Sequence, residues 1–178
     1  WPCWAVGNHD VARVVSRWAR QGLDSVLRAK LMNAFLLSLR GTACTYQGEE
    51  LGLAEVEVPR ELLKDPYGIA FWPAFKGRDG CRTPMPWDSA IDHGGFTRGE
   101  PWLPVPETHR RGAVSTQDFD RGSVLNAYRT MVKFRRAQPA LRWGSMSILP
   151  SPDDIIAIVR EFDGQAIIAA FNFGVTRV

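Results

Sequence analysis

Three consecutive polar residues, Asn8-His9-Asp10, follow the apolar run Trp1 to Val6 and put a neutral donor, a titratable ring and a carboxylate side by side. If that run is a strand of a parallel barrel, the three sit at its carboxyl end, where side chains converge on substrate. A plainer reading has Asp10 capping a helix that starts at Val11 while His9 packs as a satisfied core histidine. The segment Lys76-Gly77-Arg78-Asp79-Gly80-Cys81-Arg82-Thr83-Pro84-Met85-Pro86-Trp87-Asp88 carries two arginines in a loop stiffened by proline and anchored by tryptophan. Such a loop can present a guanidinium fork to hydroxyls or to a carboxylate, and it serves equally well as a structural ion pair. Gln47-Gly48-Glu49-Glu50 reads as structural, with one inward and one solvated carboxylate.

Other chemistries find little support. His93 and His109 stand alone in expected loops and, with His9, make no metal-ligand spacing, so no metal or other cofactor is expected. No G-x-S-x-G, Walker loop or G-x-G-x-x-G is present. The seven tryptophans suit stacking on sugar rings, although core and loop anchoring accounts for them as well.

The elements that must position these residues follow from periodicity. Val11, Val14, Val15 and Trp18 share a helical face, and Gly22 ends that segment. Leu23, Val26, Leu27, Leu31, Ala34, Phe35 and Leu39 predict a buried-face helix from Leu23 to Arg40, followed by a β-leaning run from Thr42 to Tyr46. Residues 51 to 106 hold eight of the twelve prolines and form a long structured loop region of the kind that carries function. Ser123 caps a helix running to Ala137, which Pro139 stops. Runs at 145–149, 155–162 and 166–173 read as strands, the last two joined by the hairpin signal Asp163-Gly164.

Composition sets the outer bounds. The 178 residues are 45% hydrophobic and 23% charged, which excludes a disordered or collagen-like chain. A net charge of +3 is too small and scattered for a nucleic-acid partner, and the pairs Arg110-Arg111 and Arg135-Arg136 read as solvated surface. No window approaches the about 18 apolar residues of a membrane span. The odd, widely spaced Cys3, Cys44 and Cys81 argue against a disulfide framework and point to a cytoplasmic setting.

Taken in order, Val6-Gly7-Asn8-His9-Asp10, Arg13 to Trp18, Tyr46-Gln47-Gly48-Glu49-Glu50-Leu51-Gly52, Gly77-Arg78-Asp79, Arg82 to Asp88, Gly95-Phe96 and Gly99-Glu100-Pro101-Trp102 resemble the α-amylase superfamily of glycoside hydrolases, in its α-glucosidase and oligo-1,6-glucosidase branch. The resemblance implies an α/β fold: a (β/α)8 barrel, here its C-terminal portion over 1–140, followed at 141–178 by the first strands of an antiparallel β-sandwich domain. It implies a retaining α-glucosidase that hydrolyses terminal α-glucosidic bonds of small oligosaccharides. By that resemblance Asp10 is the carboxylate that supports the oxocarbenium-like transition state, His9 bonds ring hydroxyls of the same sugar, and Arg78 fixes the non-reducing end, with Arg82 the alternative for that role.

Retaining hydrolysis needs a nucleophilic carboxylate and an acid about 5 Å apart, and in the family both lie on earlier strands, upstream of Trp1. A barrel needs roughly 200–250 residues, so the chain is expected to be a C-terminal fragment, inactive alone, whose partners are an α-glucoside and the missing part of the barrel. Uncovered edges would then favour self-association. The rival expectations are a non-catalytic sugar-binding or interaction module, and a fragment of a transglycosylating or isomerising relative.

Overall fold

The first ladder is parallel: β1 (Cys3–Trp4) pairs with β2 (Thr42–Ala43), Cys3 opposite Thr42 and Trp4 opposite Ala43. Parallel neighbours need a crossover, and helices between the strands supply it. The structure, a computed structural model, describes residues 1–19 and 24–174. Both strands are shorter than the apolar runs that predict them. One more bond, Cys44 N–H to Trp4 O at 2.8 Å, extends the ladder before both chains turn into polar loops.

Within the crossover, α1 (Val14–Arg17) is a single turn, and Gly22 and Leu23 lie outside the described residues. Helix α2 (Ser25–Ser38) starts at Asp24, whose Oδ1 accepts from the Val26 and Leu27 N–H groups at 2.7 and 3.0 Å. It is buried on two sides: Ala29 packs with Val15 and Val124, while Leu31, Ala34 and Phe35 pack against Leu39, Ile158 and Phe171. Val26 and Leu27, expected in the buried face, are exposed. In that first turn it is Arg28 instead that is buried, its Nη1 donating to Val15 O at 2.7 Å. The helix ends at Ser38 because Leu39 turns extended. Arg135 donates to Leu39 O at 3.0 Å and Gly41 O at 2.6 Å, so it ties down the carbonyls after the helix rather than lying on the solvated surface.

Residues 51–106 are largely irregular, interrupted by short 3-10 turns and by α3 (Pro66–Phe71). Two unanticipated short helices follow, α4 (Glu107–Arg111) and α5 (Val114–Phe119). His109 is therefore helical and buried rather than alone in a loop: Nε2 lies 2.8 Å from Ala54 O and Nδ1 3.3 Å from Thr83 Oγ1. Helix α6 (Val124–Ala137) is capped by Ser123, whose Oγ accepts from Asn126 N–H at 3.1 Å. Pro139, besides stopping α6, occupies the first turn of α7 (Pro139–Trp143), where its missing N–H costs nothing.

The chain continues as an antiparallel meander of β3 (Ser145–Leu149), β4 (Ile155–Phe162) and β5 (Gln165–Asn172). Asp163 and Gly164 both have positive φ, 47° and 77°, as the tight primed turn between right-twisted strands requires. Arg160, fully buried on β4, reaches across to α2: Nη1 donates to Ser38 O at 2.8 Å while Nε and Nη2 hold Ser145 O and Gly144 O at 2.9 and 3.1 Å. Burial lowers its pKa to about 10, which leaves it charged and fully paired at neutrality.

Candidate active site

The segments after the two parallel strands, Gly7 to Asp10 and Tyr46 to Glu50, lie next to each other because β1 and β2 do. Asn8 shapes the first: its Oδ1 accepts from the Asp10 N–H at 2.8 Å, a local turn that sets the direction of Asp10. Asp10 caps no helix, since Arg13 stands at the N-cap of α1. Its side chain is 49% exposed, and that of His9 68%. His9 Nε2 stands 3.4 Å from Asp10 Oδ2.

Both arginines of the loop converge on the other carboxylate oxygen. Arg78 Nη1 and Arg82 Nη2 donate to Asp10 Oδ1 at 3.0 and 3.1 Å, and Arg82 Nε donates to His9 O at 2.8 Å. Partial desolvation raises the Asp10 pKa, but His9, Arg78 and Arg82 outweigh it and hold the carboxyl below its ordinary value. Asp10 is therefore an ionised acceptor with Oδ1 engaged and Oδ2 facing the His9 ring.

A layer of buried residues beneath fixes the arginines. Asp65, buried, takes a two-point fork from Arg78, Nε to Oδ2 and Nη2 to Oδ1 at 2.9 Å each, and also accepts from the Arg78 N–H at 2.8 Å. That guanidinium holds the Asp65 carboxyl far below the usual range, and Asp65 in turn raises the Arg78 pKa. Asp79, wholly buried, accepts from the Lys64 and Asp65 N–H groups at 2.6 and 2.8 Å and anchors the turn that presents Asp65. Tyr67 places its ring 5.3 Å from the Arg78 guanidinium carbon.

Thr83, next to Arg82, is held by a second buried set. Arg13 Nη2 lies 3.4 Å from Thr83 O and 3.3 Å from Thr83 Oγ1, its Nη1 donates to Gln47 O at 2.8 Å, and its backbone N–H donates to Glu55 Oε2 at 2.8 Å. Sequence reasoning missed Asp65, Asp79 and Arg13 as supports. The only signals were for two of them, Asp79 inside Gly-Arg-Asp and Arg13 three residues after Asp10, whereas Asp65 lies in no motif.

Beside Arg82 a cleft of about 290 Å³ opens, with the half-exposed rings of Trp87, Phe96 and Trp102 in its wall together with Glu50. Among the described residues no group of His, Cys, Asp and Glu could hold a metal ion, and no helix is long and apolar enough to cross a membrane. The arrangement can bind a polyhydroxylated ligand through an ionised carboxylate, an imidazole and two guanidiniums, and can stabilise positive charge next to Asp10 Oδ2.

Comparison with known proteins matches residues 1–144 to the family described as alpha amylase, catalytic domain. A probable alpha-glucosidase of Rhizobium meliloti (strain 1021) is 50% identical over 172 residues, covering 97% of this chain and 31% of that protein. An oligo-1,6-glucosidase of Parageobacillus thermoglucosidasius is 30% identical over 192 residues, covering 97% and 34%. The crystal structure of the alpha-glucosyl transfer enzyme XgtA superposes with a TM-score of 0.90 at 51% identity, covering 97% of this chain and 32% of that one. The chain thus spans about a third of the length of these relatives.

Proposed function

The chain belongs to the alpha-amylase family and folds as part of its (β/α)8 barrel continued by an antiparallel sheet, and from that premise we propose that it supplies the substrate-binding and charge-stabilising side of a retaining α-glucosidase site. The observation that carries the reading is the convergence of Arg78 and Arg82 on Oδ1 of a half-exposed, ionised Asp10.

The chemistry divides roles. A carboxylate whose pKa is lowered cannot donate a proton to a leaving group, and one whose Oδ1 is held by two guanidiniums is a poor attacking group. It is well made to accept sugar hydroxyls and to face the positive charge that develops at the anomeric carbon. His9 bonds hydroxyls of the same ring, and Arg78, held by Asp65 with its Nη1 beside Asp10, marks the non-reducing end. The nearest carboxylate in the bonded network, Asp65, is buried and forked to Arg78, which disqualifies it as nucleophile. The nucleophile and the proton donor come from residues outside these 178. Residues 1–140 are the barrel portion and 141–178 the start of the next domain, with Arg160 tying the two. The free thiols, Cys3 and Cys44 exposed, support a reducing compartment, the cytoplasm.

The test is an aryl α-glucoside assay on the full-length protein and on this chain alone. Turnover by the former only is expected; turnover by the chain alone at a comparable rate refutes the division of labour. A second reading, glucosyl transfer, is favoured by the 51% identity to the alpha-glucosyl transfer enzyme. Product analysis with maltose and an added alcohol acceptor separates them, since hydrolysis yields glucose and transfer yields a new α-glucoside. Saturable maltose binding by the chain alone, with an inactive full-length protein, would instead mark a binding module.

A further inference from the structure

Glu49 carries one satisfied oxygen and one that is not. Oε2 accepts from the Tyr46 N–H at 3.0 Å, whereas Oε1 is buried with no protein partner. Arg13 repeats the pattern: Nη1 and Nη2 are spent on Gln47 and Thr83, and Nε is buried with none. Orphaned donors and acceptors are expensive, so native interiors pair or hydrate them. Glu49 is 9% exposed and Arg13 4%, and both line one small pocket of about 10 Å³, together with Gly7, Asn8, Asn33, Tyr46 and several apolar side chains. That is room for one water among several polar groups.

The wall across from Glu49 is the strand exit that leads to Asp10. A Cβ at Gly7 would lie 2.4 Å from Glu49 Oε1, so the carboxylate rests directly against that backbone. Its loop is itself pinned, since Asn33 of α2 donates to Glu49 O at 3.0 Å.

We propose that Glu49 is a positioning residue for Asp10, holding the Gly7–Asp10 turn by direct contact with Gly7 and through one water shared with Arg13. The inference rests on the reading of Asp10 as the charge-stabilising carboxylate and deepens it; Glu49 itself touches no substrate. Burial pushes the Glu49 carboxyl up to about 7, against the Tyr46 N–H. Of the charged groups around it, Glu50 on its own turn also raises it, while Arg13 and Arg17 of the facing segment lower it. Both protonation states can bond a water, but ionisation above neutrality puts an added negative charge beneath the turn.

The test uses the full-length protein with Glu49→Leu and Glu49→Gln, assayed on an aryl α-glucoside across pH, with hydrogen exchange of residues 6–12 alongside. Glu49→Leu is expected to lower kcat about 10-fold or more, since small misplacement of a catalytic group is costly. KM should stay within about twofold, the pattern of an interaction felt in the transition state. The Gly7–Asp10 amides should exchange faster. Glu49→Gln, similar in shape, should recover most of kcat and lose the inflection near pH 7. A folded Glu49→Leu enzyme with wild-type kcat, or Gln failing to rescue, overturns the proposal. If the Leu variant does not fold, Glu49→Asp, which draws the carboxylate back from Gly7, takes its place, and wild-type kcat with unaltered protection of residues 6–12 overturns it. An inactive wild type sinks the functional reading instead; exchange then decides the positioning, and unaltered protection refutes it. A high-resolution crystal structure without the water between Glu49 and Arg13 refutes that link.

Discussion

Asp65 grips Arg78 at both ends of one guanidinium edge, Nε to Oδ2 and Nη2 to Oδ1 at 2.9 Å, which leaves Nη1 alone to reach Asp10 Oδ1 at 3.0 Å. The buried carboxylate thereby aims the partly buried arginine. A planar fork suits this because two parallel bonds fix orientation as well as distance. Asp65→Asn loses the charge and one acceptor of the fork, so Arg78 keeps its place less well. In the full-length protein kcat/KM is expected to fall about 10-fold, as for loss of a charge-assisted positioning bond; steady-state rates equal to wild type would disprove it.

Arg78→Lys tests the same geometry from the other side. An ammonium is a point charge that cannot span Asp65 and reach Asp10 together. The expected loss in kcat/KM is on the order of 10- to 100-fold, with KM carrying part of it because the non-reducing end is less well held. Michaelis–Menten analysis checks this, and a change confined to thermal stability would place Arg78 outside substrate binding.

Asp10→Asn removes the charge that Arg78, Arg82 and His9 stabilise. Turnover of the full-length protein is expected to fall on the order of 10²-fold or more. The side chain is half exposed, so the melting temperature should move little. A variant that keeps near-wild-type rates takes Asp10 out of the site.

Asp79→Ala is a stability prediction. The substitution leaves the Lys64 and Asp65 N–H groups without their buried acceptor, a cost of about 3 kcal/mol for two charge-assisted bonds. Thermal melts should drop by several degrees, and activity should fall with Asp65 misplaced. An unshifted melt would mean that the turn holds without it.

Two buried groups set opposing pH dependences. Burial lowers His109 to about 4, so it is neutral in the fold, and stability is lost as pH falls from the unfolded value near 6.5 towards 4. Burial raises Glu49 to about 7, so its contribution is fully present below about 4.5 and is lost as pH rises through 7. Each amounts to roughly 3 kcal/mol, and between about pH 4.5 and 6.5 they offset one another. Glu49→Gln should expose the His109 slope, with melting temperature falling steadily as pH drops across that window. Parallel curves for wild type and variant would rule this out.

Much of the architecture was legible in the residues themselves. Strands β3 and β4, the Asp163-Gly164 turn and the Ser123 cap follow from alternation, positive-φ preference and side-chain capping, all of which act over a few residues. The ordered motifs Gly7 to Asp10, Tyr46 to Gly52 and Gly77 to Asp88 were enough to resemble one family and to single out His9, Asp10, Arg78 and Arg82.

Only the tertiary structure decided that both arginines meet on one oxygen of Asp10, that Asp65 rather than solvent holds Arg78, that His109 and Arg160 are buried ties, and that half-buried Arg135 binds backbone carbonyls rather than lying on the solvated surface. Hydrogen-bond partners 13, 26, 96 or 122 residues apart leave no period in a sequence. Aperiodic loops acquire their contacts from the elements that carry them, and the cost of burying a charge is met by whichever partner the fold brings near.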